Sequence, residues 1–278
     1  MNDTQRPPLA APPRAAQFLI RLRPGNHSPP LFCIHGLGGH VAGFVPLARQ
    51  LETPRAVYAL QAQGLEPGPG PHDRIEAMAA AYFAEIRGVQ PHGPYLLAGW
   101  SLGGLIALET ARQAAAAGQA VALVAMLDSW LSINCQQARS LDDQAVMEWL
   151  GPHLQISGAE LRQLALRPRW QRVAEQAQRV EGLMVADIRR LAATCLAHLD
   201  AAEQYVVQPY DGRVLLLRPG GGRAGLERRW HELFPLLEVE PVAGNHYTML
   251  RKPEVDVLAE RLKGHLPQDD GWGKTVQR

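Results

Sequence analysis

The sequence predicts an α/β fold: a mostly parallel central sheet with helices on both faces and an inserted helical lid. Three observations carry this expectation. Short, largely apolar runs at Leu31–Ile34, Val57–Leu60, Tyr95–Ala98, Val121–Leu127 and Arg213–Leu217 alternate with segments whose apolar residues recur at helical spacing. Strands apolar on both faces belong in the middle of a parallel sheet covered on both sides. The first of these runs leads into a glycine-rich loop, His35-Gly36-Leu37-Gly38-Gly39, at the strand end where an open α/β sheet places its chemistry. Finally, Gly99-Trp100-Ser101-Leu102-Gly103 joins an apolar strand to an Ala- and Leu-rich stretch from Leu102 to Ala116. A strand, a one-residue turn and a helix around G-x-S-x-G make a nucleophile elbow.

The elements follow in order. Residues 1–16 are Pro- and Ala-rich without a period and read as a flexible leader before a domain over 17–265. Phe18–Leu22 reads as a first strand, and Phe44, Leu47, Ala48 and Leu51 place a short helix over 43–51. Pro67–Pro71 alternates Pro and Gly and reads as a rigid surface loop. Asp73 reads as the cap of a helix whose buried face is Ile75, Met78, Ala79, Tyr82, Phe83 and Ile86. Gly118 ends the helix after the elbow. From about 132 to 185 the character changes. Short amphipathic segments, Val146–Leu150 and Leu161–Leu166, are broken by Gly151-Pro152 and Pro168, and the stretch reads as the lid. Its arginines, Arg162, Arg167, Arg169, Arg172 and Arg179, read as a solvated face, the other reading being a basic surface for an acidic partner. Ile188–Val206 is expected to be a long helix returning the chain to the sheet. A short helix carries Trp230, Leu233 and Phe234, and Leu237–Val242 alternates as an edge strand. Val255, Leu258, Ala259 and Leu262 mark a closing helix, and 266–278 reads as a flexible tail.

The 278 residues suit one large α/β domain or two small ones, and 46% hydrophobic residues suffice for a sizeable core. A net charge of +1 gives no reason to expect a nucleic acid or an anionic membrane as partner. Cys33, Cys135 and Cys195 form neither a disulfide framework nor a metal pattern, which points to a reducing cytoplasm. No apolar signal segment follows Met1, and the longest apolar run, 120–127, is too short to span a bilayer.

The elbow needs a base, an orienting acid and an oxyanion hole. Ser101 is the candidate nucleophile, and Gly99 and Gly103 let strand and helix approach closely around it. The oxyanion donors are expected to be the backbone N–H groups of Leu37, on the glycine loop, and of Leu102, after the nucleophile. Asp128 ends the strand after the elbow and is the candidate acid. The later strand 213–217 runs into Arg218-Pro219-Gly220 with no acid, and Asp211 sits at its wrong end. His246, on the loop after the last strand, is the candidate base, with His35 as its one rival. The order Ser101, Asp128, His246 is that of α/β-hydrolases. No metal-ligand spacing and no dinucleotide loop is present, so no metal or other cofactor is expected.

From Leu31 to about Leu262 the chain resembles the thioesterase domains of non-ribosomal peptide and polyketide synthetases, members of the α/β-hydrolase superfamily. The resemblance rests on Phe32–Gly39, Pro94–Gly104, Leu127-Asp128-Ser129, Tyr210–Leu217 and Gly244–Leu250. Two positions depart from the family pattern. His35-Gly36 stands where His-Pro is frequent, and Asn245 stands where an Asp frequently precedes the histidine. The resemblance implies an acyl or peptidyl thioester as substrate, carried on the phosphopantetheine arm of a carrier protein. Release, to water or to a nucleophile within the chain, would pass through acyl-Ser101. Beginning at Met1, the chain reads as a free-standing enzyme. Other readings are a carboxylesterase or lipase on small free esters, an editing thioesterase, and an inactive hydrolase fold used for binding.

Overall fold

A computed structural model of the chain describes residues 18–26, 29–131, 150, 153–182, 184–220 and 227–267. The strands are β1 (Leu19–Arg23), β2 (Leu31–Ile34), β3 (Val57–Leu60), β4 (Tyr95–Trp100), β5 (Val121–Leu127), β6 (Val214–Pro219) and β7 (Leu237–Val242). They form one sheet in the order β1-β3-β2-β4-β5-β6-β7. β1 runs antiparallel to β3 and every other pair is parallel. Parallel neighbours require crossovers, and the helices between the strands supply them.

Alternation along the strands divides the core between the two faces of the sheet. Phe32, Ile34, Leu97, Val124, Met126 and Leu216 face a core closed by α2 (Ile75–Val89), α3 (Leu102–Ala116) and Trp230 of α7 (Glu227–Leu233). Leu31, Cys33, Leu96, Ala98, Leu123, Leu215 and Leu217 face the other, closed by α1 (Phe44–Gln50) and α8 (Glu254–His265). The apolar face read for α2 is the one that is buried. Asp73 does not cap that helix. Arg74 holds the cap position with extended backbone and no side-chain bond, which leaves Asp73 one residue outside.

A third core belongs to the lid. Leu161 of α4 (Gly158–Gln163) and Leu166, Trp170, Val173 and Ala177 of α5 (Leu166–Arg179) pack on Ile188, Ala192 and Leu199 of α6 (Val185–Gln204). Pro168 does not break a helix here. It lies in the first turn of α5, where no intrahelical N–H is needed and its fixed φ is helical. The expected helix over 146–150 and the Gly151-Pro152 break lie outside the described residues apart from Leu150, which is fully buried. The leader over 1–16, Cys135 and all of the tail beyond Pro267 also lie outside them.

Three of the lid arginines, Arg167, Arg169 and Arg172, are tied to the lid itself rather than forming a free solvated face, while Arg179 is exposed as that reading expects. Arg167 pairs with Asp200 and Glu203 of α6 at 2.8 Å each, and Arg172 lies 3.6 Å from Glu160. Arg169 is 1% exposed and donates to Leu161 O and Leu164 O, both at 2.9 Å. Those carbonyls sit at the end of α4, where a helix leaves acceptors unfilled, so a cation there ties α4 to α5.

Candidate active site

The register of the sheet sets the site. Trp100 of β4 pairs with Leu127 of β5, so the next residues, Ser101 and Asp128, leave adjacent parallel strands side by side. Each turns sharply there, with φ of 57° at Ser101 and 47° at Asp128. Left-handed backbone at a non-glycine residue costs on the order of 1–3 kcal/mol and persists only where its surroundings over-determine it. Ser101 N donates to Leu127 O at 2.9 Å, and Asp128 N donates to Leu217 O at 2.8 Å, so the neighbouring strands hold both corners. The elbow is as close as its glycines allow. A Cβ on Gly99 would lie 2.0 Å from Gly103 O, and one on Gly103 would lie 2.3 Å from Ile34 O and His35 O.

His246 arrives on the loop after β7. Asn245 accepts from the N–H groups of Tyr247 and Thr248 at 2.9 and 3.0 Å, a side-chain turn that shapes this loop. His246 Nδ1 donates to Asp128 Oδ2 at 2.8 Å, which leaves Nε2 as the free acceptor of the neutral ring. Two indoles stack on the ring. Trp100 stacks on it with centroids 5.1 Å apart, and Trp130 does so at 5.2 Å. Trp100 Nε1 also donates to His246 O at 3.0 Å.

Ser101 and His246 line one cavity of about 260 Å³. Its walls are largely apolar: Leu37, Phe44, Trp100, Leu166, Trp170 and Leu250 contribute, with Arg169 and Arg251 among the polar residues. Leu37 comes from the glycine loop and Leu166 and Trp170 from the lid, so sheet, loop and lid meet there. The backbone N–H groups of Leu37 and Leu102 have no partner among the described residues. Leu102 begins α3, so its N–H points outward with the positive end of that helix.

His35 is not placed to compete as the base. It is fully buried and absent from the cavity wall. Its Nδ1 donates to Gly36 O at 2.7 Å, and its Nε2 accepts from the Tyr82 hydroxyl at 2.6 Å. It stacks on His198 of α6 at 5.0 Å, the planes 6° apart. Burial pushes His35 down to about 4 and His198 well below the usual imidazole range. Two neutral rings can stack this way where two cations could not. Cys195, also on the cavity wall, has its thiol pushed well up by burial. Among the described residues, no group of three or more His, Cys, Asp or Glu could hold a metal ion, and no helix is long and apolar enough to cross a membrane.

Of the residues expected from the sequence, Ser101, His246 and Leu37 line one cavity, and Asp128 stands behind it, bonded to His246. Sequence reasoning missed the two indoles on His246 and the lid's Arg169 in the wall. Trp100 stood inside the elbow motif and Trp130 two residues past the acid, but no periodicity connects either to a histidine more than a hundred residues away.

A seven-stranded, mostly parallel sheet with a strained serine at a strand-to-helix turn is the α/β-hydrolase fold. Solved structures agree. The NocB thioesterase domain, in covalent complex with a fluorophosphonate nocardicin G analogue, superposes with a TM-score of 0.67 at 24% identity, over 90% of this chain and 100% of that one. A four-domain nonribosomal peptide synthetase bound to AMP and glycine superposes with a TM-score of 0.72 at 28% identity, over 90% of this chain and 20% of that one. The family of the Thioesterase domain matches residues 29–260, and the chain belongs to that family. Among curated proteins it is 31% identical to a dimodular nonribosomal peptide synthase of Bacillus subtilis (strain 168), over 73% of this chain and 9% of that protein. It is 43% identical to the indigoidine synthase of Dickeya dadantii (strain 3937), over 37% of this chain and 7% of that protein. The chain thus spans a small fraction of these relatives.

Proposed function

We propose that the chain is a serine thioesterase that releases an acyl or peptidyl chain from the phosphopantetheine thioester of a carrier protein, through an acyl-Ser101 intermediate. The observation that carries this reading is the Asp128–His246 hydrogen bond beside an elbow serine in one apolar cavity. Membership of the thioesterase family and relatives that are nonribosomal peptide synthetases support the substrate class.

In this reading His246 Nε2 takes the proton from Ser101 as its oxygen attacks the thioester carbon. Asp128 holds the imidazole tautomer and stabilises the imidazolium that forms. The N–H groups of Leu37 and Leu102 hold the oxyanion, and losing one such donor costs on the order of a hundred-fold in rate. Collapse of the tetrahedral species breaks the C–S bond, and His246 returns the proton to the departing thiolate. Water, or an amine or hydroxyl of the acyl chain, then repeats the sequence on the ester, giving a free acid or a ring. The cavity's apolar walls suit an apolar acyl group. The enzyme needs no cofactor of its own, since the phosphopantetheine arm arrives on the carrier protein, and a cytoplasmic location follows from that partner.

The test is intact mass spectrometry of an acyl-loaded carrier protein with wild type and Ser101→Ala. Loss of the acyl group with wild type alone is the expected result, and the product mass separates acid from ring. Retention across several chain types, with cleavage of a simple ester, would replace this reading by a carboxylesterase. Equal release by Ser101→Ala would remove Ser101 from the mechanism.

A further inference from the structure

Two indoles from different parts of the molecule stack on the ring of His246. Trp100 belongs to β4 and packs with the sheet core under α1 and α8. Its plane is 30° from that of the imidazole, and its Nε1 bond to His246 O fixes the backbone as well. Trp130 follows β5, two residues past Asp128, and packs on the lid core that α5 and α6 build. Its plane is 17° from that of the imidazole. Tyr247 meets the ring edge-on at 5.0 Å. Among the described residues, Asp128 alone grips an atom of the ring, Nδ1.

One hydrogen bond does not fix an imidazole. The second side-chain torsion of histidine is broad, so the ring can rock about its bond to Cβ while Nδ1 stays in contact with a carboxylate oxygen. Rocking moves Nε2, the atom that must face Ser101. Flat partners stacked close against the ring oppose that motion, and offset stacking adds attraction where the rings overlap. Sheet and acid supply one wall and one anchor, and the second wall is a side chain backed by the lid.

We infer that Trp130 is a positioning residue for His246, the lid-side wall of a clamp that aims Nε2 at Ser101. The inference rests on His246 acting as the base. Through Trp130, the seating of the lid bears on the base itself as well as on the shape of the acyl pocket. A Trp130 that only packed the lid would alter KM for acyl-carrier substrates and the thermal midpoint, and nothing else.

The experiment compares wild type, Trp130→Ala and Trp130→Phe by two readouts that do not need the acyl pocket. One is the rate at which a small fluorophosphonate labels Ser101. The other is the low-field Nδ1–H proton resonance of His246. Trp130→Ala is expected to slow labelling about tenfold or more, since a misplaced base is costly, and to broaden the resonance through faster exchange. Trp130→Phe keeps a flat wall and restores most of both. Should Trp130→Ala fail to fold, Trp130→Leu, which fills more of the space than Ala but has no flat face, takes its place. Wild-type labelling rate and an unchanged resonance in the folded Ala or Leu variant would overturn the clamp. Absence of labelling in the wild type would instead overturn the catalytic reading, and the resonance would still test the clamp.

Discussion

Acidification should destabilise this protein well above the pH at which its carboxylates titrate, and His35 supplies a magnitude. The ring is fully buried, and burial lowers it from 6.5 to about 4. Between those values the unfolded chain takes up a proton that folded His35 refuses, so stability rises with pH across the window and is lost on acidification. With one unit worth 1.36 kcal/mol, lowering the pH from 7 to 5 removes about 2 kcal/mol through His35 alone. His198, stacked on it and also lowered by burial, acts in the same direction, as do the more exposed His40 and His72. The assay is urea unfolding followed by tryptophan fluorescence at pH 7 and pH 5. At a slope of about 3 kcal/mol per molar urea, His35 by itself should lower the midpoint by about 0.7 M. His35→Asn removes the titrating ring. Its absolute stability will fall with the loss of the Tyr82 contact, but its pH dependence should shrink by about 2 kcal/mol. A wild-type midpoint equal at the two pH values, or a variant that keeps the full wild-type shift, would refute the argument.

Asp128→Asn leaves the shape of the site intact but favours the wrong tautomer of His246. Turnover of the thioester should fall about 10³–10⁴-fold with little change in thermal midpoint, as read by steady-state kinetics beside a melting curve. Gly103→Ala places a Cβ 2.3 Å from two backbone carbonyl oxygens of the β2 end, which cannot swing aside. It should cost about 2–3 kcal/mol and lower Ser101 labelling together with the melting temperature. Arg169→Leu fills similar space but leaves the Leu164 carbonyl without its Arg169 donor, at about 1–3 kcal/mol, while Leu161 O keeps the Leu164 N–H. Limited chymotrypsin digestion should then cut within 153–182 sooner than in the wild type.

Much of this protein is legible before its structure is known because the informative patterns are local. Continuous apolar runs declare buried parallel strands, and the sheet has them at Leu31–Ile34, Val57–Leu60 and Val121–Leu127. The elbow is legible for the same reason: strand, serine, glycine and helix are contiguous, and the strained φ of 57° at Ser101 is the consequence. Asp128 and His246 were found by their strand ends, because a parallel sheet gathers the residues that follow its strands along one edge. Lid boundaries were read less well. Proline stops a helix from inside, so Pro168 reads as a break in the sequence, and only the chain direction into α5 shows that it lies in a first turn.

What the sequence by itself determined is the order of strands and helices, the elbow, and the identity of the groups beyond the strand ends. The tertiary structure decided which side chains press on those groups. Trp100 and Trp130 reach His246 across 146 and 116 residues. His35 meets His198 across 163 residues, and Arg169 closes the end of a neighbouring helix while lining the cavity. The reason is physical. Backbone periodicity is dictated by neighbours a few residues apart, whereas the partner of a ring or a guanidinium depends on the register of the sheet and on how the lid seats against it.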